Sequence, residues 1–147
     1  MPELRGYRTR DAGLLATAWQ GPLLMATGGA GPFAPPPPEP DGHWCRVLVV
    51  PDAGVAVLDR IDHVHRTARL SVATLDAPVV DLLAAALVVA GERLRLRQVI
   101  GVLPTGDEQQ TAAAALGFVA EVTIPEHVWR DGNAVPATIW RAGLDDT

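Results

Sequence analysis

The chain has 147 residues, 17 acidic and 12 basic, for a net charge of −5, and 48% of it is hydrophobic. That is the length of one domain with enough apolar material for a core, and the acidic balance excludes broad binding to nucleic acid or anionic membrane, which needs a basic face. Every basic residue is Arg and Cys45 is the lone cysteine, which excludes an internal disulfide and points to the cytoplasm of a GC-rich, actinomycete-like bacterium.

No apolar core for a signal peptide follows Met1. Residues 4–8 are expected to form a short strand, and Asp11 to cap a helix reaching about Trp19, with Leu14, Leu15 and Ala18 on one face. Residues 21–42 contain Gly28-Gly29 and Pro35-Pro36-Pro37-Pro38, so they are expected to be an irregular loop or flap. Strands are predicted at 44–50 and 55–61, separated by the turn Pro51-Asp52-Ala53-Gly54, and at 66–73. Thr74-Leu75-Asp76-Ala77-Pro78 turns directly into an apolar helix over 79–89. The apolar run 77–91 contains Asp81 and is shorter than the ~20 residues of a membrane span. A buried strand follows at 97–103 and a helix at 107–116, opened by the capping-box pattern Thr105-x-x-Glu108 and stopped by Gly117. A hairpin of 118–125 and 134–141 around Asp131-Gly132 closes the chain. The fold class expected is α/β (α+β), a mixed, mostly antiparallel sheet flanked by helices.

His63-Val64-His65 is the sharpest polar feature. On extended backbone, residues two apart face one side, and imidazole titrates near neutrality, so the pair could serve as general acid or base. A solvated hairpin tip among Asp59, Arg60, Asp62 and Arg66 explains the same residues. A metal site is the weaker choice, since no fourth ligand accompanies His63, His65 and Asp62. Thr67, Arg69 and Ser71 alternate with Ala68, Leu70 and Val72, giving the strand one polar face, and Arg69 could hold an anionic or carbonyl group or simply snorkel. Asp81 suits the helix dipole, with substrate binding as its alternative. Cys45 reads as a structural thiol, and Glu126 and His127 as hairpin residues.

The element order, Gly117-Phe118 and the run Glu126-His127-Val128-Trp129-Arg130-Asp131-Gly132 resemble the GCN5-related N-acetyltransferase (GNAT) superfamily, in particular its ribosomal-protein acetyltransferase branch. The resemblance implies a GNAT-like sheet in which the 66–73 strand splays from its neighbour to make the cleft, with a Pro/Gly-rich loop replacing one N-terminal helix. In some amine acetyltransferases of that superfamily a His-x-His pair at about this position carries the amine proton to solvent. Three family features are missing: the Gln/Arg-x-x-Gly-x-Gly/Ala phosphate loop after Ala73, a Tyr where Ala113 stands, and an Asn near Gly106 or Asp107. From these losses the expectation is a repurposed enzyme of small-molecule, secondary metabolism that uses no cofactor and binds acetyl-CoA weakly or not at all. In it His63 and His65 would be catalytic, while Thr67, Arg69, Ser71 and Asp81 would bind a small-molecule substrate. The alternatives are an N-acyltransferase fed by acetyl-CoA or a carrier-bound acyl-pantetheine, and a non-catalytic module. Homodimerisation is left open.

Overall fold

The computed structural model describes residues 3–20, 23–24, 44–75, 78–104, 109–130 and 132–144. The strands are β1 (Arg5–Gly6), β2 (Leu23–Leu24), β3 (Arg46–Val50), β4 (Gly54–Asp62), β5 (Thr67–Thr74), β6 (Gln98–Pro104), β7 (Val119–Arg130) and β8 (Asn133–Gly143). The helices are α1 (Ala12–Gln20), α2 (Val79–Glu92) and α3 (Gln109–Ala115). One sheet runs β1-β3-β4-β5-β6-β8-β7, with β2 attached to β5 off that path. Among the described pairs only β5 and β6 are parallel. The mixed, mostly antiparallel sheet expected from the sequence is therefore the one observed.

Period-two alternation divides the core between the two faces of the sheet. Ala56, Leu58, Ala68, Leu70 and Val72 pack with Leu82, Leu83, Ala86, Val89 and Ala90 of α2. Val47, Val49, Val55, Val57 and Ala73 pack with Leu15 and Ala18 of α1. Gly54 is required where β4 begins. A Cβ there would stand 2.6 Å from the Ala73 carbonyl oxygen and 3.0 Å from a Leu82 methyl, so the turn could not approach β5 and α2 so closely.

The N-terminal strand is two residues long, shorter than expected, and a 3-10 turn at Thr9–Asp11 follows it, tied back to Arg5. Both of its terminal guanidinium nitrogens donate to the Asp11 carboxylate, at 2.7 and 2.8 Å. Asp11 does not cap α1 from outside. It ends a turn of 3-10 helix and accepts the Arg8 backbone N–H at 2.7 Å. With these donors the buried carboxyl is held down at about 2, chiefly by Arg5.

At the other edge, β7 runs five residues past the predicted end, to Arg130. Register shifts between Ala120 and Val122 and between Ile124 and Val128 interrupt its pairing with β8, and Glu126 takes a φ of 51° within the second. Pro125 is tolerated there because an edge strand has one side free of ladder bonds. The predicted loop 21–42 lies outside the described residues except for Leu23–Leu24, which are strand rather than irregular. The capping pattern at 105–108 also lies outside them.

Candidate functional site

A wedge opens in the middle of the sheet. β5 and β6 pair at Thr67 with Gln98, Ala68 with Val99, and Arg69 with Ile100, and at no later position. Yet β5 continues on β4 to Thr74 opposite Gly54, and β6 continues on β8 to Pro104 opposite Ala137. Each strand follows its outer neighbour, and the right-handed twist carries the two apart. The second half of β5 thus has an edge that β6 does not cover.

The junction from β5 to α2 is as short as the sequence implied. The Leu75 N–H donates to the Ala53 carbonyl at 2.7 Å, fixing the exit of the strand. Pro78 occupies the N-cap of α2 in an extended conformation and provides no side-chain cap. The first helical bond is from the Leu82 N–H to the Pro78 carbonyl, at 3.2 Å. The N–H groups of the first turn, at 79–81, therefore have no partner within the helix, and the dipole adds a partial positive charge at this point. Asp81 is exposed in that turn, as the dipole reading of this residue expects.

The alternation of Thr67, Arg69 and Ser71 with Ala68, Leu70 and Val72 is present, the second set being buried against α2. Asp59 lies directly across from Arg69, and the guanidinium forks onto it through Nε at 2.8 Å and Nη2 at 2.6 Å. That contact neutralises the cation the sequence offered as a ligand anchor. Ser71 is buried, 4% exposed, at the start of the uncovered edge, and Thr67 is half-buried beside the closed end.

The two histidines do not share a wall. Residues 63–66 are a turn, not extended backbone. The turn forms because an Asp62 carboxylate oxygen accepts the N–H groups of Val64 and His65, each at 2.9 Å, an Asx-type closure. Its other oxygen lies 2.9 Å from His65 Nδ1. The Asp62 carboxyl is held below its ordinary range, first by the His65 backbone N–H and then by the His65 ring. His63 instead tilts against Trp44, with ring centroids 5.8 Å apart. Arg60, with a φ of 50°, occupies the β4 bulge between Asp59 and Asp62. Trp44, Arg60, Ile61, Asp62, His63 and Val64 line an open groove of about 640 Å³ at this tip. Burial pushes the Cys45 thiol up, which leaves it a poor nucleophile at neutral pH. No cluster of three metal-ligating side chains occurs among the described residues, and none of their helices is long and apolar enough to cross a membrane.

The wedge was expected only through the family resemblance; β2 was not foreseen. Its one signal is that Leu23-Leu24 form an apolar pair where the chain turns to Gly and Pro. The Arg5–Asp11 pair was missed as well, since a spacing of six residues matches no helical or strand period.

No protein-family model matches the sequence, and no curated protein does. Solved structures do share the fold. A spermidine N-acetyltransferase from Vibrio cholerae in complex with CoA and spermine has a TM-score of 0.76 at 17% identity, over 96% of this chain and 94% of that one. The same organism's spermidine/spermine N-acetyltransferase SpeG, in complex with manganese ions, has a TM-score of 0.74 at 15% identity, over 96% of this chain and 91% of that one. A chimera of SpeG with hSSAT gives 0.74 at 18% identity, over 96% and 94%. The fold of this chain is that of the GNAT acetyltransferases. The expectation of no cofactor is corrected by the CoA complex, because a protein of this same fold holds CoA. The neighbours are polyamine acetyltransferases and lend no support to the ribosomal-protein branch.

Proposed function

We propose that this chain is an N-acyltransferase that takes an acyl group from a CoA thioester lying in the wedge between β5 and β6 and transfers it to the amine of a small molecule. The observation that carries this reading is the parting of the parallel pair after Arg69 and Ile100, beside a helix whose N-cap residue, Pro78, provides no side-chain cap. Bound there, the thioester supplies an activated acyl carbonyl.

The residues present suit such a donor. A strand edge recognises extended, amide-bearing chains through its backbone, and the stretch 70–74 of β5 offers that edge to the two amides of a pantetheine arm. The N–H groups at 79–81, at the positive end of the α2 dipole, suit the diphosphate. One backbone N–H at the narrow end of the wedge, that of whichever of Leu70 and Ser71 faces away from β4, is a fixed donor for a carbonyl oxygen that gains charge. The acceptor must lose a proton to attack through its nitrogen, and the net charge of −5 favours approach of a cationic amine.

Pro78 has no N–H, and the short 75–78 junction supplies few donors to a diphosphate. That feature favours a second donor, an acyl-pantetheine on a carrier protein, which presents the same arm without the nucleotide. Titration calorimetry with acetyl-CoA and acetyl-pantetheine, followed by thiol release with spermine and spermidine as first acceptors, tests both. Saturable donor binding and amine-dependent thiol release are expected. A folded protein that binds neither donor contradicts the proposal.

A further inference from the structure

The uncovered edge of β5 is not vacant. β2 pairs with it in antiparallel register, Leu23 opposite Ala73 and Leu24 opposite Val72. β4 pairs with these same two β5 residues, Val55 with Ala73 and Ala56 with Val72, and so takes the opposite edge. β2 must therefore lie on the β6 side, inside the wedge. Its backbone takes up the N–H and C=O groups of β5 that a pantetheine arm needs.

We propose that β2 is a built-in strap that competes with the acyl donor for the open edge of β5, so that donor binding requires Leu23–Leu24 to leave the wedge. This inference rests on the donor site proposed above. A strand edge can pair with one extended chain at a time, so strap and donor exclude each other at Val72 and Ala73. Two residues of pairing form a weak clasp, since each net backbone bond is worth only about 0.5–1.5 kcal/mol. α1 ends at Gln20, three residues before Leu23, so the strap follows directly on a helix packed against the sheet. The consequence is a donor affinity reduced by the fraction of molecules in which the strap is out.

A cross-link tests the exclusion. Opposed antiparallel residues have Cα atoms ~4.5–5.5 Å apart, within the ~4.4–6.8 Å that a disulfide spans. In a Cys45→Ser background, Leu24→Cys with Val72→Cys should lock the strap when oxidised and free it when reduced. The oxidised form should bind acetyl-CoA more than ~10-fold more weakly than the same protein after reduction. Equal affinity in the two states overturns the strap and leaves the donor site standing. No acyl-CoA binding by wild type or by the reduced variant overturns the donor site, and the strap with it. Hydrogen exchange on wild type gives an independent answer should the variant misfold. Acetyl-CoA should speed exchange at Leu23 and Leu24 while Val72 and Ala73 stay protected, and slower exchange at 23–24 contradicts the proposal.

Discussion

The two ends of β5 are built from opposite materials. At the closed end, where β6 is paired, the charged and aromatic side chains gather: Asp59 with Arg69, Asp62 with His65, His63 with Trp44. Beyond Arg69–Asp59 these groups sit on an exposed hairpin tip, with His65 77% and Asp62 43% exposed. At the open end β5 carries Leu70, Ser71, Val72, Ala73 and Thr74, none of them charged, and what it offers is mainly backbone. The chemistry-bearing residue types mark the tip, while the fold puts its opening about 13 Å further along the strand, near Ser71. Side-chain type alone is a poor guide to a site of the kind proposed, made of strand edges and a helix end.

The largest effect should come from filling the open end. Gly54→Val places a branched side chain where a single Cβ already meets the Ala73 carbonyl at 2.6 Å. It should destabilise the fold by about 3 kcal/mol, the upper range for overpacking, seen as a lowered urea midpoint.

Carboxylates sharpen the contrast next. Asp11 lines a groove of about 510 Å³ with Pro51, Asp52 and Leu75 and is 5% exposed. Asp11→Asn should cost about 2 kcal/mol at pH 7, the scale for hydrogen bonds to a charged group. The folded-state pKa of Asp11 is depressed, so its contribution is complete above the ordinary carboxylate range and is lost as pH falls towards about 2. The gap between wild type and Asp11→Asn in urea titrations should therefore close across that window. Asp62→Asn, at the exposed tip, should leave the urea midpoint almost unchanged, because solvent screens an exposed pair.

Charge at the mouth of the wedge should act on binding with little effect on folding. Val80, 40% exposed, sits in the first turn of α2. Val80→Asp sets a second carboxylate beside the uncapped N–H groups, so KM for acyl-CoA should rise about 10-fold. Stability should hold or gain ~0.3–1 kcal/mol from the dipole. A rise in KM accompanied by a fall in melting temperature would point to general damage.

The smallest effect is expected where the sequence points most strongly. His63→Ala and His65→Ala should each leave acyl transfer within about threefold of wild type. Loss of a positioned general base costs ~10²–10⁴-fold. A loss of that size at His65, with disappearance of a neutral limb from the pH–rate profile, would move the site to the tip.

Much of the fold was legible because period-two alternation in β3, β4 and β5 and the Leu82, Leu83, Ala86, Val89, Ala90 stripe of α2 report burial directly. The polar alternation of Thr67, Arg69 and Ser71 was also correctly placed on one face. What the strand pattern could not show was that Asp59 faces Arg69, since pairing register depends on a bulge at Arg60. Nor could it show that His63 and His65 take different partners, because Asp62 bends the backbone between them. β2 was not legible because two apolar residues carry no period, and their pairing depends on an edge that the parting of β5 and β6 uncovers.

Amide chemical-shift mapping by NMR during titration with acetyl-CoA tests the central claim most directly. Perturbations are expected at 70–75 at the end of β5, at 79–82 in the first turn of α2 and at 101–103 on β6, with residues 62–66 unchanged. Shifts concentrated on Trp44 and 60–66, with 70–82 silent, would contradict the account.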